Sequence, residues 1–308
     1  MNFIFFILVA SFWSGSFVAI QPLVKAMPPI AAGALRIGVA IIFLTILLSI
    51  KKIPLIVAKE IRWRVWLTGL FAFGLPFSLL FWGEKSVSPG LAGIINGTVP
   101  IWVFILGAIF SPGAEAITGR KVTGLALGIL GVLLIFLPKL LTTNANSSLL
   151  GALAVAGMAW SYATGVLLNR SLFTKNVALH PFANLYQQLL AGFLAISTLS
   201  VFFEGWPHPQ SWAPSSTVLW GEIYLGCFST TLAFMMFYHL IKAWGSVRAA
   251  TVTYVVPTLA LGFDLILNGT RPLLNELFGV CAVTLGVVIL NLPKRAGPTE
   301  SQPLKPAE

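Results

Sequence analysis

Residues 69–100, GLFAFGLPFSLLFWGEKSVSPGLAGIINGTVP, and residues 226–257, GCFSTTLAFMMFYHLIKAWGSVRAATVTYVVP, are two copies of one pattern. At a constant offset of 157 they match at eight of 32 positions without a gap. The matched pairs are Gly69/Gly226, Phe71/Phe228, Leu75/Leu232, Phe77/Phe234, Lys85/Lys242, Ala92/Ala249, Val99/Val256 and Pro100/Pro257. An internal duplication within strongly apolar sequence is typical of membrane proteins built from two structural repeats.

The composition places the rest of the chain in the membrane as well. Hydrophobic residues make up 57% of the 308 and charged residues 9%, with a mean hydropathy of +0.91. A soluble domain carries about 25% charged residues. Since a bilayer span needs about 20 apolar residues, ten spans are predicted. They cover about 2–21, 30–50, 64–83, 89–110, 120–138, 148–169, 180–202, 217–239, 247–267 and 273–292. The first has no basic segment before it, so we interpret it as a retained helix rather than a signal peptide.

The net charge of +10 indicates topology rather than nucleic-acid binding. If the N-terminus is cytoplasmic, fourteen of the nineteen Lys and Arg residues fall on the cytoplasmic side, four fall on the other side, and Arg36 lies within a span. Basic residues concentrate in cytoplasmic loops. The sequence therefore predicts that both termini are cytoplasmic.

The polar stretch TTNANSS, residues 142–148, divides the chain into two sets of five spans. Five is odd, so the second set enters the membrane in the opposite orientation. We predict an all-α polytopic membrane protein with ten transmembrane helices in two inverted five-helix repeats. The first repeat covers residues 1–141, the second covers 148–292, and 293–308 form a disordered cytoplasmic tail.

Several short motifs recur in the same order in both halves. The first half has Trp13, Ala34-Leu35-Arg36, the run 92–95 before Pro100, Glu115 and Gly124-x6-Gly131-Val132; the second has Trp160, Pro257, Gly279, Gly286 and Val287. Over about residues 2–292 the chain resembles the EamA-type permeases of the drug/metabolite transporter superfamily. The resemblance implies a bacterial inner-membrane protein that moves small metabolites, amino acids or drugs, often outward. It also implies a central cavity among helices 1, 3, 4, 6, 8 and 9. The chain departs from the family at the second-half equivalent of Glu115, where Thr270 stands.

The paired prolines Pro100 and Pro257 are hinge candidates. A proline inside a helix removes a backbone donor and frees a carbonyl one turn earlier. In lipid that carbonyl needs a protein partner or a water-filled cavity. The alternative is a kink that only improves helix packing.

Two charged residues are candidates for function. Arg36 is predicted well inside helix 2 and could hold a substrate carboxylate through its planar fork; structural pairing or snorkelling are the alternatives. Asp264, near the outer part of helix 9, is the proton-coupling candidate, unless it already reaches water.

The remaining substrate-binding candidates are aromatic or polar residues at membrane depth. They are Trp13, Ser14, Asn96, Trp160, Ser161, Gln188 and Tyr254. Aromatic faces offer flat apolar contact, and polar groups bind a substrate or join helices. By contrast, Trp82 and Tyr238 are interpreted as membrane-interface anchors, and Glu84, Lys85 and Lys242 as boundary charges.

These features predict a secondary transporter, most simply an exporter, working by alternating access between two inverted repeats. The alternatives are a lipid flippase or scramblase, and a non-transporting membrane scaffold. An intramembrane enzyme is the least supported class, because His180, His208 and His239 are dispersed and no H-E-x-x-H motif occurs. No catalytic residue, metal or cofactor is predicted. The expected partners are a small-molecule solute, the lipid bilayer and, as a candidate coupling ion, the proton. Nucleic acid is not expected, and a homodimer is compatible with the sequence but not required.

Overall fold

The computed structural model describes residues 1–110, 118–142, 149–175, 179–206, 215–259 and 273–291. Within these ranges the chain forms ten helical runs and no strand. They are α1 (Asn2–Ala26), α2 (Pro29–Ile50), α3 (Lys59–Glu84), α4 (89–110), α5 (Gly119–Thr142), α6 (Leu149–Lys175), α7 (Pro181–Glu204), α8 (Ser216–Trp244), α9 (246–259) and α10 (Leu274–Asn291).

The helices have the length and composition of membrane spans. Seven of them, α1 to α4 and α6 to α8, are long and apolar enough to cross a bilayer, and α10 contains a shorter apolar stretch. Helices satisfy their own backbone hydrogen bonds, which lipid cannot do. The prediction of an all-α polytopic membrane protein is confirmed. The observed helices are longer than predicted at several ends; α3 begins at Lys59 rather than 64, and α6 continues to Lys175.

The last helices of the two halves, α5 and α10, pack antiparallel through reciprocal glycine contacts. A Cβ added at Gly131 would lie 2.6 Å from the carbonyl oxygen of Gly279, and one at Gly279 would lie 2.7 Å from that of Gly131. Gly124 and Gly286 are opposed in the same way, at 3.0 and 2.7 Å. Only glycine allows backbones to approach this closely. Equivalent helices that meet in opposite directions are what an inverted duplication produces.

The contacts between the halves are also reciprocal, because equivalent helices pack against the opposite half in equivalent ways. Helix α3 packs against α6 and α7 of the second half, and its equivalent α8 packs against α1 and α2 of the first. The principal core therefore lies between the halves rather than inside either one. A cavity in that core is enclosed by both repeats.

The equivalent helices α3 and α8 also share a local irregularity. Each contains π-helical turns, over Leu70–Gly74 in α3 and Tyr224–Leu232 in α8. At the repeat offset of 157, residues 70–74 correspond to 227–231, inside the second segment. Such turns leave carbonyls out of the regular i→i−4 ladder and are frequent at functional sites.

Candidate functional site

A cavity of about 60 Å³ lies between the two halves of the bundle. Residues of α1, α2, α3, α4, α6 and α8 line it, together with one residue of α9. Its walls are Trp13, Phe17, Arg36, Pro76, Phe77, Leu80, Asn96, Met158, Tyr162, Phe234 and Thr253. Most of these side chains are aromatic or aliphatic, with only a few polar groups.

Two pairs of lining residues are repeat equivalents. Phe77 matches Phe234, and Asn96 matches Thr253, at the offset of 157. Asn96 and Thr253 each stand four residues before a matched proline, so the prolines withhold the helical hydrogen bond from their carbonyls. The helix is interrupted close by in both copies, at residues 97–98 in α4 and at 251 in α9. The hinge assignment of Pro100 and Pro257 stays a prediction, but both breaks adjoin the cavity.

Arg36 is the charged residue of the cavity wall. It is 3% exposed, and its Nε donates to Thr230 Oγ1 at 2.8 Å while Nη2 donates to Ser229 Oγ at 3.2 Å. Its guanidinium carbon lies 4.2 Å from the centroid of the Phe77 ring. Hydroxyl partners and an aromatic face hold the fork in place without neutralising its charge. The geometry leaves a fixed cation beside an apolar chamber.

Aromatic rings form the wall next to this cation. Trp13 packs against Tyr162, Phe234 and Phe237 with ring centroids 5.1 to 6.0 Å apart. Its indole Nε1 donates to the carbonyl of Ser229, 3.0 Å away, within the π-helical segment of α8. The bond fixes one face of the Trp13 ring in the cavity wall.

The equivalent carbonyl region in α3 is satisfied by a different residue. Ser161 on α6 donates through Oγ to the carbonyl of Phe71 at 3.1 Å. Each half thus supplies a side chain that satisfies a π-helical carbonyl of the other. For Ser161 this contact is structural, since the residue is buried and is absent from the cavity wall.

A second polar group, the Gln188 cluster, consists of Asn169, Asn184, Gln188 and Tyr238. Gln188 Nε2 donates to Asn169 Oδ1 at 2.8 Å and to Asn184 Oδ1 at 2.9 Å, and Tyr238 donates its hydroxyl to Gln188 Oε1. Asn184 Nδ2 donates to Asn169 Oδ1 at 3.0 Å. All four residues are buried. The cluster satisfies itself internally and does not line the cavity.

The structure brings together three of the predicted substrate-binding residues, Trp13, Arg36 and Asn96. It places the other five elsewhere. Trp160 is 42% exposed on the outer surface of α6, and Ser14 is buried with its hydroxyl unpaired among the described residues. Tyr254 donates its hydroxyl to the Leu125 carbonyl at 3.2 Å, towards α5. Asp264 lies outside the described residues.

Two sequence interpretations are wrong. Tyr238 is not an interface anchor, because it is 1% exposed and belongs to the Gln188 cluster. Glu84 is not a solvated boundary charge, because it is 2% exposed. Both side chains lie near a helix end in sequence, but neighbouring helices cover them. Tyr238 contacts α6 and α7 of its own half, and the segment that ends at Glu84 packs chiefly against α6 of the other half.

Sequence reasoning also missed several residues near the cavity. Phe77 and Phe234 carried a signal, as one of the identical pairs of the duplication. Tyr162 and Glu222 carried none, since neither matches its repeat equivalent and nothing in the local pattern separates a buried tyrosine or glutamate from an interfacial one.

Comparison with known proteins agrees with this architecture. The EamA-like transporter family matches residues 1–137 and 149–292. Among curated relatives, Protein PagO of Salmonella typhimurium is 27% identical, covering 94% of each chain. Salmonella typhimurium and Escherichia coli each have a relative named "Probable amino-acid metabolite efflux pump", 24% and 23% identical, covering 92% of both chains in each case.

A solved crystal structure shares the fold, with a TM-score of 0.75 at 17% identity, covering 94% of this chain and 97% of that one. The family matches account for nearly all of the chain, and the helical bundle has the architecture they imply. The protein is a membrane transporter that belongs to the EamA-like transporter family.

Proposed function

We propose that this protein is a secondary exporter of small amphipathic carboxylates of the amino-acid class. The observation that carries the proposal is Arg36, a buried cation held in the wall of an otherwise aromatic and aliphatic cavity between the two halves. A buried charge within a membrane span is costly and marks a substrate or ion path.

The chemistry of the cavity fits a molecule with one anionic end and one apolar end. The guanidinium presents two parallel N–H groups that match a carboxylate. Trp13, Phe77 and Phe234 offer flat faces to an apolar or aromatic side chain. Asn96 and Thr253, one from each half, add neutral hydrogen-bonding groups to the cavity wall.

Two relatives support the solute class. Both are named probable amino-acid metabolite efflux pumps and match this chain over nearly its whole length. That similarity favours amino acids or their metabolites over drugs, and outward over inward movement.

Alternating access would use the duplicated construction. The cavity lies between the halves, and the interruptions at 97–98 and 251 adjoin it on equivalent helices. Rocking of one half against the other would expose the cavity to each side in turn. With both termini cytoplasmic, as the basic residues predict, Arg36 would lie in the outer half of the membrane.

The test is solute counterflow in proteoliposomes. Vesicles loaded with an unlabelled amino acid are placed in a trace of the same labelled compound, and a panel of aromatic, aliphatic and charged amino acids is compared. We expect saturable accumulation that is lost when the carboxylate is replaced by a primary amide, because an amide is neutral at Arg36.

The same vesicles test the lipid-flippase alternative, if they include a fluorescent phospholipid whose outer-leaflet fraction is bleached by a reductant. Protein-dependent lipid scrambling without any counterflow would overturn the proposal. Equal counterflow of acids and amides would leave a transporter but remove the carboxylate specificity.

A further inference from the structure

Two buried carboxyl groups flank Arg36 without touching it. Glu84 ends α3 and Glu222 lies in the second turn of α8; each is 2% exposed. All four carboxylate oxygens lack a hydrogen-bond partner among the described residues. Because α3 and α8 are five spans apart, they run in opposite directions, so both acids lie on the same side of the membrane.

An ionised carboxylate without hydrogen bonds is a costly species in an apolar interior. Its desolvation amounts to several kcal/mol unless a cation balances it. A protonated carboxyl is neutral and avoids most of that cost. The protonation of Glu84 and Glu222 therefore depends on how much positive charge faces them.

Arg36 is the cation that faces both acids. Its electrostatic interaction is strongest with Glu222 and next strongest with Glu84. Tyr162 and Tyr224 also lie within reach of the guanidinium, and both are neutral phenols. The segment of α3 that ends at Glu84 packs against α1, α2, α4, α6 and α7, and the segment of α8 that carries Glu222 packs against α1 and α2.

Few other charges stand near the two acids on those packing helices. Glu204, the last residue of α7, accepts hydrogen bonds from the backbone N–H groups of Ile30 and Ala31. Lys25, near the end of α1, and Lys85, directly after Glu84, are exposed to the surroundings rather than directed into the bundle. Gln21 of α1 donates to the backbone carbonyl of Glu84 at 3.2 Å, and its neutral amide also lies close to the Glu84 carboxyl. One inward-facing guanidinium thus stands against two carboxyl groups.

We propose that Glu84 and Glu222 together form a proton-binding site that holds one proton in this conformation. Arg36 balances one carboxylate, and the shared proton neutralises the other. This site is distinct from Asp264, the acid that the sequence indicates. Arg36, which lines the solute cavity and interacts with both glutamates, connects the site to the cavity.

The pair gives the transporter a way to link solute and proton. A solute carboxylate bound to Arg36 replaces the ionised glutamate as the partner of the guanidinium. That glutamate then takes up a proton, so that both glutamates are protonated. This consequence rests on the proposed function, whereas the proton site itself does not. Its test therefore needs no solute.

The experiment is labelling with dicyclohexylcarbodiimide, followed by mass spectrometry of the purified full-length protein in detergent. A protonated carboxyl gives its proton to a carbodiimide nitrogen while its oxygen bonds to the central carbon; in a dry site the adduct rearranges to a stable N-acylurea. We expect label on Glu84 or Glu222 at neutral pH. Glu60, exposed at the start of α3, is the matched control and should stay unlabelled, because it is in contact with water rather than in a dry site.

Charge-balance variants make the test specific to a shared proton. In Glu84→Gln, Arg36 balances the remaining Glu222 carboxylate, so labelling of Glu222 should be lost; Glu222→Gln should likewise abolish labelling of Glu84. In Arg36→Gln, both acids need a proton and both should be labelled. Label that persists on one glutamate after the other is removed would show independent burial, not sharing.

Infrared spectroscopy of the wild-type protein covers the case in which a variant fails to fold or the reagent cannot enter. A carbonyl stretching band of protonated carboxyl, equivalent to one group per chain and present at neutral pH, is the expected result. Its absence, with ionised carboxylate bands only, would overturn the proposal.

Discussion

Arg36 and Gln188 occupy equivalent positions in the two repeats, each seven residues after the proline that begins its helix, Pro29 or Pro181. Each faces a helix of the opposite half that contains π-helical turns. Arg36 remains a charged group on the cavity wall, whereas Gln188 is fully enclosed in a neutral network.

The difference comes from the residues that surround the two positions. Ser229 and Thr230, which accept hydrogen bonds from Arg36, correspond in the first repeat to Ala72 and Phe73, which offer no side-chain acceptor. Gln188 instead forms its hydrogen bonds with Asn169, Asn184 and Tyr238. A duplicated backbone therefore sets where a side chain stands, and its neighbours decide whether it binds a ligand or joins helices.

The buried acids follow the same division. At the repeat offset, Glu84 corresponds to Ile241 and Glu222 to Val65. Among the described residues, Arg36 and these two buried acids lie on one side of the bundle, and the Gln188 cluster, with its amides and phenol, lies towards the other. A solute passing between the halves thus meets two chemically different ends.

The largest expected effect comes from making the two positions identical. Arg36→Gln removes the cavity cation, and we expect the transport kcat/KM for a carboxylate solute to fall about 100-fold, since loss of a charged hydrogen-bond partner costs about 2–5 kcal/mol. Arg36→Lys keeps the charge but not the planar fork, so its transport kcat/KM should fall less than that of Arg36→Gln. Counterflow rates per folded protein measure both. An unchanged rate in Arg36→Gln would remove Arg36 from the solute site.

Gln188→Leu should have the opposite profile. It leaves Tyr238 and the two asparagines short of partners, so the free energy of unfolding should fall by about 1–3 kcal/mol. Thermal unfolding in detergent measures the loss. Tyr238→Phe, which removes one hydroxyl, should cost about 1 kcal/mol. If Gln188→Leu abolished counterflow without lowering stability, the Gln188 cluster would belong to the transport path.

Removing the hydroxyl groups that hold the Arg36 guanidinium tests whether the neighbours of this position decide its role. The double substitution Ser229→Ala with Thr230→Val gives the α8 site the apolar character of its α3 equivalent. We expect KM for the carboxylate solute to rise about 5-fold, about 1 kcal/mol, because the guanidinium is no longer held. The matched control is Thr198→Val, an exposed threonine on α7 that bonds only to the Leu194 carbonyl. An equal effect in that control would make the change nonspecific.

The smallest effect is expected from Asn96→Thr, which makes the two proline-adjacent cavity residues alike. The ratio of kcat/KM values for two amino acids of different size should shift about 2- to 5-fold, since single neutral contacts discriminate weakly. Stability should stay the same. A ratio that does not move, in this variant and in Thr253→Asn, would exclude these two side chains from specificity.

Much of the fold followed from pattern alone. The all-helical, membrane-spanning character and the packing glycines of α5 and α10 were visible in spacing and composition. Trp13, Arg36 and Asn96 could be proposed as cavity residues because they stand near mid-span at motif positions. Ser161 and Gln188 satisfied the same criteria, yet they make structural contacts, and Trp160 faces outward.

The sequence by itself determined that the solvent is lipid, that the chain crosses the membrane as several helices, and that residues 69–100 and 226–257 share one pattern, because hydropathy and periodicity act locally along a chain. Tertiary structure alone decided which face of each helix meets the cavity. In lipid, apolar residues cover both the inside and the outside of the bundle, so amphipathicity does not distinguish them. It also decided that Glu84 and Glu222 are buried beside one arginine, since that depends on helices of the opposite repeat that no local pattern identifies.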